Sequence, residues 1–193
     1  MKTRLFIAID FPEKAKEEIA GLINELRDKY PQIRWEKKEK LHLTLKFLGG
    51  VEVKLKTQNS KLQEIIKGVK KAVQDVKPFW FQPSNLGYFL RQNLIVWLGV
   101  KAQEGLFQIS KNLEREMAKL GFAKEKRGFS PHITIGRAKR VTPRKKWERI
   151  AQEVRNFPTP PFSKFKVRQI VLMKSKLTPR GSIYSVVDKA LLQ

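Results

Sequence analysis

Two histidines hold most of the chemistry open to this chain. They are the only two in 193 residues, and each begins the same four-residue pattern: His42-Leu43-Thr44-Leu45 and His132-Ile133-Thr134-Ile135. In a strand, residues i and i+2 share a face. His42 with Thr44, and His132 with Thr134, should therefore each present an imidazole and a hydroxyl together. Leu41, Leu43, Leu45 and Phe47 back the first pair, and Ile133 and Ile135 the second. A histidine on one half-buried strand is usually a bystander, but both histidines of a chain falling in one pattern is hard to assign to coincidence. Two facing imidazoles can act as acid and base near neutral pH. One takes a proton from water or a hydroxyl, and the other gives one to a leaving oxygen. The threonines could hold phosphoryl oxygens between the rings, a site for in-line phosphoryl transfer.

Other site classes fit the residues less well. Zinc asks for three or four His, Cys or carboxylate ligands, and neither motif contains an Asp or Glu. No Gly-x-Ser-x-Gly elbow and no Walker loop occur, and Gly49-Gly50 lacks the Lys-Ser/Thr that would complete one. The expectation is a site with no metal and no cofactor. Around the motifs, Arg137 could neutralise a phosphate, and Lys46 shares the face of His42 and Thr44 if the strand stays regular. Arg91 and the basic stretch Lys174–Arg180 could line a polyanion path. Trp80, Phe81, Tyr88 and Trp97 could stack bases, although their apolar neighbours make most of them core candidates.

The composition points to the same kind of partner. Forty-one Lys and Arg against eighteen Asp and Glu give a net charge of +23, beyond the magnitude of about 2–8 that solubility asks of a small domain. Such an excess favours a polyanion, most simply nucleic acid, while a lysine-rich heat-adapted surface yields the same sum. The absence of cysteine excludes disulfides and thiol chemistry. The sequence has no apolar run of about 18 residues to span a membrane. The apolar stretch near the N-terminus reads as a strand and not a signal peptide, so the cytoplasm is the expected compartment. No obligate protein partner is indicated.

Strands and helices alternate along the chain. Strands are expected at Thr3–Asp10, Arg34–Glu36, the two motifs, Pro78–Pro83, Leu94–Val100, Phe165–Lys174 and Ile183–Lys189, with a hairpin turn within Ser84–Asn93. Amphipathic helices are expected over Glu13–Lys29, Lys61–Val76 and Gly105–Leu120, with Gly121 as a stop. A fourth should run to Arg155 from a Thr142 cap with Pro143 in its first turn. Ser175–Gly181 reads as a basic loop. One motif in each half suggests an internal duplication, with two lobes facing each other across a groove in one bilobal domain over residues 1–193.

The doubled motif is similar to the signature of the two-histidine phosphoesterase superfamily. More closely, the chain resembles the RNA 2′,3′-cyclic phosphodiesterases, also called 2′-5′ RNA ligases. The similar stretches are Arg4–Asp10, Leu41–Gly49, Val96–Gly99, Pro131–Arg137 and Leu172–Leu177, with Gly181 and Tyr184. The resemblance implies an α+β fold, with two pseudo-symmetric lobes whose mostly antiparallel sheets line a central groove and whose helices lie outside. It implies a substrate, RNA ending in a 2′,3′-cyclic phosphate (tRNA fragments among its sources), opened to a 2′-phosphomonoester. It also implies His42 as proton donor to the 3′ oxygen, His132 as proton acceptor for water, and Thr44 and Thr134 on phosphate oxygens. In reverse, a 5′-hydroxyl would replace water and form a 2′-5′ linkage without ATP. Two other readings stay open from the residues: a non-catalytic RNA-binding module, and a phosphodiesterase acting on small cyclic nucleotides.

Overall fold

The computed structural model describes residues 2–52, 60–101, 104–139, 141–179 and 181–193. In chain order the elements are β1 (Lys2–Asp10), α1 (Glu13–Lys29), β2 (Ile33–Trp35), a 3₁₀ turn (Lys38–Lys40), β3 (His42–Glu52), α2 (Lys61–Val73), β4 (Phe79–Phe81), β5 (Pro83–Leu90), β6 (Leu94–Val100), α3 (Glu104–Lys119), β7 (His132–Ala138), α4 (Arg144–Arg155), β8 (Phe165–Val167), β9 (Gln169–Thr178) and β10 (Gly181–Leu191). Period-3.6 apolar spacing accounts for the helices. Ala15, Ile19, Leu22, Ile23 and Leu26 form the buried stripe of α1, and Leu106, Ile109, Leu113 and Met117 that of α3. Gly121, at φ +84°, ends α3 as expected.

This is an α+β fold built on one eight-stranded sheet, ordered β10-β9-β1-β3-β7-β6-β5, with β2 also paired to β7. A two-stranded β4–β8 sheet stands beside it, and every strand pairing among the described residues is antiparallel. The helices put their apolar stripes into one large core against one face of the sheet. On the other face Phe6, Ala8, Val171 and Met173 form a small buried cluster among the described residues, with Tyr184 against it. That lightly covered face is where a cleft can open.

The sheet is a single surface because the first-motif strand meets the second-motif strand. The contact is one bridge, Leu43 opposite Ile133, with β1, β9 and β10 on one side and β6 and β5 on the other. Local expectations change in four places. The strand expected over Phe165–Lys174 is two, β8 in the small sheet and β9 in the large one. Thr142 is buried but does not cap α4, whose N-cap is Pro143 without a side-chain bond. Proline fixes an extended entry there by its ring, with no hydroxyl needed. Ser175–Gly181 is not a loop, since β9 runs to Thr178 and β10 begins at Gly181. Cross-strand pairing carries this polar stretch in a β9–β10 hairpin, an override of local composition. Lys61–Val76 ends early as a helix, at Val73.

Candidate active site

His42 and His132 line the same cleft, an open space of about 1610 Å³ that Thr44, Thr134, Arg137 and Tyr184 also line. Leu43 and Ile133 point back into the core, both fully buried, so the motif residues flanking them face forward. Extending the antiparallel Leu43–Ile133 register one residue either way sets His42 across from Thr134 and Thr44 across from His132. The two motifs are thus related by a local two-fold axis through that bridge.

Both imidazoles are fixed in the same way. Nδ1 of His42 lies 2.7 Å from the Lys40 carbonyl oxygen, and Nδ1 of His132 lies 2.8 Å from the Ser130 carbonyl oxygen. In each case the carbonyl belongs to the residue two positions earlier. A carbonyl only accepts, so each Nδ1 carries the proton and each Nε2 is left for the chemistry. Nε2 of His42 is 3.1 Å from Thr44 Oγ1. The neutral ring accepts from the hydroxyl, whereas the charged ring donates to it and frees the threonine proton for another acceptor.

Aromatic rings buttress both histidines. Phe6 of β1 and Tyr184 of β10 lie 5.0 and 5.2 Å from the His42 ring. Phe89 of β5 and Trp97 of β6 lie 5.0 and 6.2 Å from the His132 ring. Gly87 makes the second arrangement possible, because a Cβ there would stand 2.2 Å from the Trp97 indole. Burial among these rings, which disfavours the charged form, pushes both histidines below the ordinary imidazole value. The carbonyl bonds oppose that shift, and Arg137 adds to it at both rings. Burial also raises the Tyr184 phenol.

The strands are not regular after the motifs, and this decides which neighbours reach the cleft. Along β3, Ala8 pairs with Thr44 but Ile7 pairs with Lys46, leaving Leu45 as an extra residue. Along β7, Trp97 pairs with Thr134 but Val96 pairs with Gly136, leaving Ile135 as an extra residue. Each bulge falls three residues after its histidine and reverses the alternation beyond it. Lys46 is therefore not on the face of His42. It is 2% exposed, and its Nζ donates to Glu114 Oε1 at 2.7 Å and to the Ala123 carbonyl at 3.0 Å. Its charge is spent on tying α3 and the following segment to β3 at the cleft margin. Phe47, expected behind the motif, is instead 67% exposed and lines the cleft. The matching bulge turns Arg137 into the cleft, with its Nε 3.7 Å from Glu36 Oε1.

The outer basic residues divide. Arg91 lies in the turn between β5 and β6 on the cleft rim, where its carbonyl accepts from Arg144 Nη1 at 2.9 Å. On the β9–β10 hairpin, Ser175 and Leu177 line the cleft while Lys174 and Lys176 do not, because alternation sends them to the other face. Arg180 lies outside the described residues. Of the proposed stacking aromatics, Phe81 is buried, Tyr88 packs against the core and Trp80 is not among the residues lining the cleft. Trp97 does not line the cleft either, but it backs the His132 ring at 6.2 Å. The sequence reading passed over Phe6, Phe89 and Tyr184 as partners of the histidines and Glu36 as the partner of Arg137. Phe6 and Tyr184 lay in stretches that carried the family resemblance, but their roles depend on pairings between remote strands. Among the described residues, no three His, Cys, Asp or Glu side chains gather as a metal-binding group, and no helix is long and apolar enough to cross a membrane.

Comparison with known proteins gives a consistent result. Residues 11–178 match the sequence model of a family described as the 2′-5′ RNA ligase superfamily. The chain is 37% identical to an RNA 2′,3′-cyclic phosphodiesterase of Methanocaldococcus jannaschii, across 96% of this chain and 99% of the relative. It is 34% identical to one of Thermotoga maritima, across 95% and 92%. Among solved structures, Escherichia coli LigT complexed with 3′-AMP superposes with a TM-score of 0.74 at 26% identity, covering 100% of this chain and 99% of that one.

Proposed function

The chain belongs to the 2′-5′ RNA ligase superfamily, and from that premise we propose that it opens 2′,3′-cyclic phosphate ends of RNA to 2′-phosphomonoesters. Relatives bearing the name RNA 2′,3′-cyclic phosphodiesterase support this substrate. The observation that carries the reading is the single antiparallel bridge between the two motifs, with both Nδ1 atoms held by carbonyls and both Nε2 atoms left for the cleft.

In this reading the cyclic phosphate lies between the rings. His132 Nε2 takes a proton from water as the water oxygen bonds to phosphorus. The bond from phosphorus to O3′ breaks, and His42 Nε2–H delivers a proton to that oxygen. Thr44 and Thr134 donate to the non-bridging oxygens. Arg137 answers the charge that accumulates on them, a task for which a fixed cation in a partly dehydrated cleft is suited. Burial lowers both histidines in the free protein, and an arriving phosphate anion favours the charged form of the donor. Run in reverse, a 5′-hydroxyl and a 2′,3′-cyclic phosphate give a 2′-5′ linkage with the histidine roles exchanged relative to its cleavage. No ATP is needed, because the cyclic ester brings its own leaving group.

On the same reading the chain is one bilobal unit made by internal duplication, supported by the matched carbonyl bonds and matched bulges of the two halves. It works in the cytoplasm, with tRNA fragments among the RNAs carrying such ends. The test is incubation of an RNA oligonucleotide ending in a 2′,3′-cyclic phosphate with the protein in EDTA, without ATP. The expected product is a 2′-monophosphate, identified by mass and phosphatase sensitivity. A cyclic end left intact by folded protein that still binds the RNA would make this a binding module instead.

A further inference from the structure

The two rings are held by like carbonyls that stand on unlike supports. Lys40, whose carbonyl accepts from His42 Nδ1, closes the 3₁₀ turn Lys38–Lys40. That turn fixes itself, with the Lys40 N–H on the Lys37 carbonyl at 2.9 Å and the Leu41 N–H on the Lys38 carbonyl at 3.1 Å. Ser130, whose carbonyl accepts from His132 Nδ1, has no such turn around it. It lies near the end of a strap, residues 122–131, that is neither helix nor strand and is exposed over residues 123–128. An exposed strap has little of its own to keep one carbonyl in place. What ties it down is a buried lysine from the other half of the chain. Lys46 Nζ donates to the Ala123 carbonyl at 3.0 Å and to Glu114 Oε1 at 2.7 Å. Glu114 Oε2 in turn accepts from the Glu125 N–H at 3.2 Å. Among the described residues, these two contacts at Ala123 and Glu125 are the hydrogen bonds that residues 123–129 make. Phe129 adds an apolar contact, its ring 6.1 Å from that of Phe107.

The lysine side chain is 1% exposed and that of Glu114 24%. A buried ion pair is a poor device for stability, because desolvation offsets much of the attraction, and its best attested use is to fix one arrangement among several. The pair has no copy at the matched place on β7, where Gly136 stands. The first half, with its own 3₁₀ turn, needs none. We propose that Lys46 and Glu114 are the positioning pair for His132. By fixing the strap at Ala123 and Glu125 they keep the Ser130 carbonyl on Nδ1, so that the ring stays in one tautomer with Nε2 left for the cleft. Lys46 thereby couples the two halves, since it stands on the strand of His42 and sets the ring of His132. The tautomer is a property of the free protein, and its consequence for turnover rests on the function proposed above.

The test is nitrogen-15 NMR of the imidazoles in the free protein, at a pH where both rings are neutral, which reports the nitrogen that carries the proton. The chain has two histidines, so the spectrum of His42→Ala assigns both. In Lys46→Met, His132 should pass from Nδ1–H to a mixture with Nε2–H, while His42 stays Nδ1–H. The double variant Lys46→Met/Glu114→Met removes the pair without leaving a buried charge, so it should melt near the wild type or above it. It should show the same change at His132. Lys119→Met, which breaks an exposed ion pair of α3 with Glu116, should change neither ring. On a cyclic-phosphate RNA the double variant should lower kcat about 10²-fold with KM within about threefold, as misplacement of a reacting group does. His132 held as Nδ1–H in the double variant, an equal change at both rings, or the same change in Lys119→Met would overturn the positioning role. So would a rise in KM with wild-type kcat, which would make the strap a binding wall only. A wild-type protein without phosphodiesterase activity, whose His132 still changes tautomer in the double variant, would place the error in the proposed function and leave the pair's hold on the ring standing.

Discussion

Around His42 and around His132 the molecule builds the same three things. Each ring has a carbonyl two residues upstream on Nδ1, an aromatic pair from other strands, and a bulge three residues downstream. Beyond the bulge the halves part. At matched positions the first half sends Phe47 into the cleft and the second sends Arg137. On the core face the first half has Lys46 held by Glu114, where the second has Gly136, whose missing Cβ leaves room for Ile33 and Trp35. The comparison teaches that backbone geometry is repeated where both rings are held alike, while the side chains differ where, in the proposed function, a nucleotide would present unlike groups. Phosphate asks for a cation, and a base or ribose asks for an apolar surface.

The strongest way to break the symmetry is to delete one ring at a time. His42→Ala and His132→Ala should each lower turnover of a cyclic-phosphate RNA by about 10³-fold, and Thr44→Ala or Thr134→Ala by about tenfold. Single-turnover kinetics would check this. A histidine variant with near wild-type turnover would end the paired acid–base account.

Next comes the divergent pair. Arg137→Met should cut kcat about 10²-fold, as loss of a charge-stabilising group does. Phe47→Ala should instead raise KM about tenfold, as loss of a stacking surface does, with kcat nearly kept. Equal effects on kcat from both would show that the two positions do not divide the work.

The smallest effect is a displacement in pH. Both histidines are lowered chiefly by burial, with Arg137 adding to the shift at His132 and Lys16 and then Arg137 adding to it at His42, so each gives up its proton at a lower pH than a free imidazole, whose value is about 6.5. The profile of kcat/KM should be bell-shaped, with its optimum on the acid side of that value and a fall as rising pH discharges the donor. Its limbs belong to the coupled pair. Removing the Arg137 charge should move both limbs upward, and Phe47→Ala should move neither. An unmoved profile in Arg137→Met would show that its charge does not reach the rings.

Much of this was legible in the chain. The helix α1 runs over Glu13–Lys29 as its apolar spacing predicts, and the His-x-Thr spacing put each imidazole on the face of its hydroxyl. Those are local facts, fixed by the 3.6 and 2.0 residue periods of the backbone. Lys46, Phe47 and Arg137 were not legible in the same way. A one-residue bulge reverses alternation without leaving a mark in composition, because Leu45 and Ile135 look like ordinary core residues. The hairpin across Ser175–Gly181 escaped for a related reason, since its pairing partner and not its own residues makes it β.

The sequence by itself determined the two imidazoles proposed to react, their pairing with threonine and the overall basic charge, because residue type and short spacing are properties of the chain. Only the tertiary structure decided that the two motifs meet at Leu43 and Ile133, that Phe6, Tyr184, Phe89 and Trp97 close around the rings, and that Arg137 faces the cleft while Lys46 is buried at its margin against Glu114. Those outcomes depend on strand register between segments some ninety residues apart and on where each register slips. No local preference encodes either, and the packed sheet selects both by burying one face and leaving the other open.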